Sequence, residues 1–212
     1  MSNEFNNKKI IKFALTAAST GAVVSATGIS LTANTFTKAT HGLKTGDVTS
    51  WTTSNTLPTL STGIMTVDTA YYVIKVDDNT FKLATSYTNA IAETNVDVTG
   101  VGVGTQTFRE NGIGEVHTGI IIPDNAMVTS LITNALTAFT STGGGGSTKI
   151  SVGFAGITPI STVAFDHATL TGIDQWITTT PLYTTSEAEL IITVATNALA
   201  GGVYDLWIEY NI

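Results

Sequence analysis

The sequence has no cysteine, which excludes disulfide bridges and thiolate metal sites. A cysteine-free chain is indifferent to redox compartment, so the absence leaves location open. Charge is scarce, with only 12% of residues charged, so long-range steering has little to work with. Basic residues are scarcest in the second half, where residues 110–212 hold Lys149 against nine acids. Net charge is therefore +1 over residues 1–109 and −8 over residues 110–212. An acidic half repels a phosphate backbone, so no nucleic-acid partner is expected there. Aromatics make up 8% of the chain, too few to suggest a sugar-binding platform. No apolar run approaches the roughly 20 residues of a membrane-spanning helix, and no membrane partner is expected. Lys8, Lys9 and Lys12 around Ile10, Ile11, Phe13 and Leu15 imitate a secretory leader. Lys12 breaks that apolar stretch and residues 16–20 are too polar to extend it, so no cleaved leader is expected.

What is present points to β-structure. Thr is abundant, Gly numbers 20, and 42% of residues are apolar. Thr and Val suit pleated strands, and Gly suits turns and bulges. A chain of 212 residues holds one large domain or two small ones. The spacing of apolar runs predicts an all-β protein, a small antiparallel β-barrel followed by a jelly-roll-like β-sandwich. Residues 1–17 read as an N-terminal arm, 18–110 as the barrel module and 111–212 as the sandwich. Within the arm, Ile10 to Leu15 suits a short strand or a helical turn. It would dock on a partner or form an edge strand of the first domain.

The best-marked stretch runs from Asn34 to Ala84. Tyr71 to Val76 and Thr80 to Ala84 flank an Asp77-Asp78-Asn79 turn, a hairpin signal in which Asn79 would tolerate the left-handed conformation. Phe36, Tyr72, Ile74, Phe81 and Leu83 are the expected core of the first domain. Asn34-Thr35-Phe36 and Asn79-Thr80-Phe81 repeat one tripeptide, which suggests two similar entries into strands. Thr99 to Thr105 reads as a glycine-punctuated loop, without the helix and lysine that a phosphate loop needs. Arg109 to Gly114 is polar and glycine-containing, and the charge shift falls there, so it marks the domain boundary.

In the second half, Met127 to Phe139 is too long for one regular strand, and a bulge is expected. Gly143 to Gly146 reads as a hairpin loop. Ile150, Val152 and Phe154 share one face, as do Leu190, Ile192 and Val194. The final strand puts Tyr204, Leu206, Ile208, Tyr210 and Ile212 on one face and Asp205, Trp207, Glu209 and Asn211 on the other.

The sequence offers little chemistry. His41, His117 and His167 are scattered and lack metal-ligand spacing. Asp166-His167 are neighbours in the chain and point apart. Asp77-Asp78-Asn79 lacks the alternation of a calcium loop. No nucleophile elbow or zinc-protease motif occurs. No enzymatic activity, metal or cofactor is expected. Trp207 sits among Asp205 and Glu209 and suits a partly buried contact. With the basic Lys8, Lys9 and Lys12 of the arm it forms the candidate partner interface.

Asn34 to Phe36, His41-Gly42-Leu43-Lys44-Thr45-Gly46-Asp47, Tyr71 to Ile74 and Asp77 to Ala84 together resemble a short β-module that recurs in tailed-bacteriophage structural proteins. Val48-Thr49-Ser50-Trp51 departs from the more apolar continuation of that pattern. The module is similar to the small β-barrel called the first catalytic cysteine half-domain of ubiquitin-activating enzymes. The enzyme's cysteine lies outside that barrel, so no activity carries over. The resemblance covers roughly residues 20–108. In composition the second half resembles the Thr- and Ala-rich β-domains of phage capsid decoration proteins and head fibres. The resemblance implies a virion structural protein and does not by itself distinguish capsid from tail; the expected place is the capsid surface. It would be a capsid decoration, or cement, protein that binds the major capsid protein shell as a homo-oligomer, a trimer. The alternative is a tail or head fibre component that contacts the host surface, and a virion-associated glycosidase is the third class.

Overall fold

A computed structural model describes residues 8–17, 21–142, 148–155, 165–166 and 172–212. In chain order the strands begin with β1 (Lys8–Ala17), β2 (Ala22–Val24), β3 (Ile29–Ser30), β4 (Thr35–Thr37) and β5 (Val48–Thr53). They continue with β6 (Thr59–Leu60), β7 (Gly63–Ile64), β8 (Tyr71–Lys75), β9 (Thr80–Ala84), β10 (Val98–Gly100) and β11 (Gln106–Glu110). The last seven are β12 (Gly114–Ile122), β13 (Met127–Ser141), β14 (Lys149–Phe154), β15 (Phe165–Asp166), β16 (Gly172–Tyr183), β17 (Ala188–Ala195) and β18 (Leu199–Asn211). Among the described residues one short α-helix, α1 (Tyr87–Ile91), follows β9 and is capped by the Ser86 hydroxyl, which accepts from the Asn89 N–H.

The module consists of β2 to β11. A seven-stranded sheet in the order β2-β11-β5-β8-β9-β4-β3 curls like a barrel, and β10-β6-β7 adds a small second sheet. The repeated tripeptides meet, because β4 pairs with β9 and puts Phe36 opposite Phe81. Their rings stack at 5.7 Å, with Trp51 5.1 Å from Phe36 and Phe108 5.4 Å from Phe81. Tyr71, Val73 and Leu83 belong to this core, with Val24, Leu43, Leu57 and Leu60 among its other members. Tyr72 and Ile74 are also buried, but on the opposite face of β8, in the core of the sandwich. The expectation that they join Phe36 and Phe81 is thus corrected. β8 is covered on both faces, so its Tyr-Tyr-Val-Ile run carries no polar side to mark the inward one.

The hairpin turn also has a different basis from the one expected. Asn79 is not left-handed. Instead the Asp77 carboxylate accepts from the Asn79 N–H at 2.7 Å, and the Asn79 side-chain oxygen accepts from the Thr40 N–H at 2.9 Å.

The sandwich has two four-stranded antiparallel sheets, β1-β18-β13-β16 and β12-β17-β14-β15. Its pairings are nested. β1 pairs with β18, β12 with β17, β13 with β16 and β14 with β15. Eight strands therefore form one long hairpin rolled up, which is the jelly-roll winding. The inward faces fill the core with Leu15, Ile122, Leu131, Ile150, Phe154, Ile192, Tyr204, Leu206 and Ile208. β13 shifts register at several places between Val128 and Ser141, the expected irregularity of an over-long strand.

Residues 8–17 are not a free arm. All ten pair in register with β18, from Lys8 opposite Asn211 to Ala17 opposite Gly202. The strand alternates, with Ile11, Phe13, Leu15 and Ala17 turned to the core and Lys12, Ala14 and Thr16 outward. The reading as an edge strand of the first domain is likewise corrected, because the partner strand belongs to the sandwich. The whole module is thereby threaded into the connection between the first and second strands of the jelly roll.

The crossing from module to sandwich is packed. Gly112 and Ile113 are buried, the Asn111 N–H donates to the Val48 carbonyl, and the Leu199 N–H donates to the Gly112 carbonyl at 2.7 Å. Gly114 has φ +97, and a Cβ there would meet the Ala70 methyl at 2.6 Å. Asp68 of the module accepts from the Ala198 N–H at 3.0 Å and from the Thr142 hydroxyl at 2.8 Å.

Candidate functional site

Among the described residues, two places gather chemistry-bearing side chains. The first is the outer face of the β1-β18 pair, where the antiparallel register brings the basic strand onto the acidic one. Lys12 lies opposite Trp207, and its ammonium sits 5.2 Å from the indole ring centre. The same ammonium is 2.7 Å from a carboxylate oxygen of Asp205, which is buried. Lys8 reaches Glu209 at 2.8 Å. Lys9 is exposed and lies opposite Tyr210. The structure therefore brings Lys8, Lys12 and Trp207 together and sets Lys9 apart on the alternate side of the strand. Their charges are met within the chain by Glu209 and Asp205. The picture of a loose basic arm reaching for an acidic neighbour is corrected, because that acidic surface is the chain's own β18.

The second place is a cleft of about 540 Å³ where the module lies against β1, β12 and β17. His117 stands on β12, stacked on Tyr87 of α1 with ring centres 3.3 Å apart and planes 3° apart. Its Nδ1 is 2.9 Å from the Glu189 carboxylate, so that nitrogen carries the proton. The other oxygen of Glu189 accepts from the Gly119 N–H at 2.9 Å. Nε2 is 3.8 Å from Glu115. Gly46 permits this arrangement, since a Cβ at its φ of +96 would meet the Tyr87 ring at 2.8 Å. A Glu-oriented imidazole can serve as a base, but here the ring is wedged between module and sandwich, and its hydrogen bond and stacking act as a brace.

On the module side of the cleft stand Asp47, Lys44 and Glu110. The Asp47 carboxylate accepts from the Lys44 N–H at 2.6 Å and closes the Lys44 to Asp47 turn. Burial pushes the Asp47 carboxyl up, against the Lys44 N–H and the charges of Lys44 and His41. Burial also pushes Glu110 up, and the neighbouring Asp47 charge adds to it. The Tyr87 hydroxyl is raised by burial and then by Glu189. Tyr72 is raised by burial while its oxygen accepts from the Glu115 N–H at 3.3 Å.

His41 makes the local contacts of a turn residue. Its Nδ1 accepts from the Leu43 N–H at 3.0 Å and its Nε2 lies 2.9 Å from the Asp77 carbonyl. His167 and the Gly143 to Gly146 loop lie outside the described residues. Sequence reasoning missed the cleft group of Asp47, Glu110, Tyr87, His117 and Glu189. These come from five separated segments, and the one available signal was the His-Gly-Leu-x-Thr-Gly-Asp turn that carries Asp47.

No family model matches this sequence, and no curated protein matches it. Among solved structures, the chain is similar to the acidic stable capsid structure of Helicobacter pylori bacteriophage KHP30. Identity is 16% over 48% of this chain and 85% of that one, with a TM-score of 0.33. The capsid of Ralstonia phage GP4 is similar over 47% of this chain and 74% of that one, at 15% identity and a TM-score of 0.32. The cyanophage Pam1 capsid asymmetric unit is similar over 48% and 82%, at 23% identity and a TM-score of 0.30.

Proposed function

We propose that this chain is a structural protein of a tailed-bacteriophage virion, a capsid decoration protein. It binds the outer surface of the major capsid protein shell and reinforces it. The observation that carries the reading is how the resembling residues of the module are used. His41 and Asp47 tie down the Leu43 to Asp47 turn, Asp77 closes the hairpin, and Phe36 and Phe81 stack at the centre. The shared pattern is thus the skeleton of a rigid β-module, and in this chain the module is built into a jelly roll. Non-local strand pairing in both units suits a stiff part that carries load rather than a flexible one.

The contact face we assign is the outer side of β1 and β18, with half-buried Trp207 at its centre and Lys8 and Lys12 along its edge, while Lys9 lies on the other side of the strand. Symmetric attachment to a shell favours a closed homo-oligomer, and a trimer fits three-fold positions. Binding to emptied capsids tests the reading. Wild-type chain should bind saturably, and Trp207→Ala should weaken binding about 10-fold or more if the indole is an interface anchor. Chain that binds host cells and ignores capsids would favour the fibre reading instead.

A further inference from the structure

We infer that the free edge of β1 is a strand-docking site, which takes an extended segment of the partner with apolar residues on one side and a basic residue on the other. That the partner is the shell rests on the decoration reading, whereas the site itself rests on the edge and the cleft beside it. β1 has β18 on one side and, among the described strands, no partner on the other. The Thr16 carbonyl shows which backbone groups face away from β18, because it accepts from the Asn111 side-chain amide of the module at 3.2 Å. Backbone groups alternate along an antiparallel strand, so Lys8, Ile10, Lys12 and Ala14 also hold their N–H and C=O away from β18. Asn111 takes the place of a neighbouring strand at Thr16, and among the described residues the edge from Lys8 to Ala14 stays open.

Lysines on an edge strand ordinarily keep other strands off. Here the Lys8 and Lys12 ammonium groups are drawn over the sheet to Glu209 and Asp205 of β18, away from the free edge. Ile10 lies between them, exposed on the outer face, and an apolar neighbour on an added strand would cover it. The inner side of the same edge has the opposite character. Phe13, Ala14 and Thr16 line the cleft with the carboxylates of Asp47, Glu110 and Glu189, and Lys44 is the one ammonium among the lining residues. Asp47 is bonded within its turn, and Glu189 to His117 and Gly119. Glu110 is half-buried, and among the described residues its carboxylate makes no hydrogen bond or ion pair. On a strand laid along β1, the residue beside Phe13 turns inward to the cleft, and those beside Ile10, Lys12 and Ala14 turn outward. A segment that alternates apolar and basic residues meets both demands. A second copy of β1 does not, since antiparallel pairing about Ile10 sets Lys8 against Lys12.

The test uses the full chain and two octapeptides, one alternating Val and Lys, the other alternating Val and Glu. The Val-Lys peptide should bind about 10-fold tighter or more, and Glu110→Gln should reduce that preference. With the Val-Lys peptide bound, NMR amide exchange should slow at Ile10, Lys12 and Ala14 and stay unchanged at Ile11 and Phe13, whose N–H groups face β18. Ala14→Pro removes an outward N–H and leaves the ladder to β18 whole. It should keep the wild-type β-sheet circular dichroism and lose both the peptide and emptied capsids. Equal affinity for the two peptides, or slowed exchange that spares Ile10, Lys12 and Ala14, would overturn the docking site. Capsids that bind Ala14→Pro as well as wild type would overturn its role at the shell. Capsids that ignore wild type while the Val-Lys peptide still protects β1 would support the site and count against the decoration reading alone.

Discussion

Phe81 is the residue on which the module turns. It is fully buried and in ring contact with Phe36, Trp51, Phe108 and His41. Phe81→Ala leaves a ring-sized void that four aromatic neighbours cannot all close. It should cost about 3–5 kcal/mol, read from denaturant midpoints at constant m-value. Phe36 and Phe81 were legible because each sits in a short run with alternating burial, at the same place in a repeated tripeptide. Trp51 was not, since Val48 to Trp51 is buried at every position and has no period to read. The cleft residues were illegible for another reason. Asp47, Tyr87, Glu110, His117 and Glu189 have no spacing that relates them, and only the fold makes them neighbours. On the outer face of β1, Lys12→Ala would leave the buried Asp205 carboxylate without its partner. The expected loss is about 1–3 kcal/mol in the same assay, and Lys8→Ala, between more exposed groups, should cost under about 1 kcal/mol.

At the scale of elements, β1 decides whether the sandwich exists. Removing residues 1–17 takes away Leu15 and Ala17 from the core and strips one edge of β18, the best-patterned strand in the chain. The truncated chain should fail to give a cooperative transition followed by β-sheet circular dichroism. A truncated chain that melts like wild type would show that β1 is dispensable. In the sequence, Ile10 to Leu15 suited a short strand or a helical turn equally, and the structure makes it a strand. Its partner was not legible, because the two strands stand at opposite ends of the chain and no local rule links them. The stretch from Arg109 to Gly114 shows the converse. Its composition marked a domain boundary, and in the structure its backbone is bonded to Val48 and Leu199 and two of its residues are buried. Trypsin should therefore spare the Arg109-Glu110 bond under native conditions, and early cleavage there would contradict the packed crossing. α1 escaped notice because five residues are too few for a helical period.

At the scale of the molecule, the module keeps its own aromatic core but lends Val48, Tyr72, Ile74 and Ala84 to the core of the sandwich. They should unfold together, and a trimer should appear by light scattering as a mass near three chains. The jelly roll was legible from strand number and alternation, whereas the threading of the module between its first two strands depends on the long-range pairing of β1. The role proposed for this chain is that of a stiff, repeating shell part, and copy number speaks to that proposal most directly. Quantitative mass spectrometry of purified virions that carry this chain should find it on the order of hundreds of copies per particle, in a fixed ratio to the major capsid protein. A count of tens or fewer, or its absence from particles, would contradict the decoration reading.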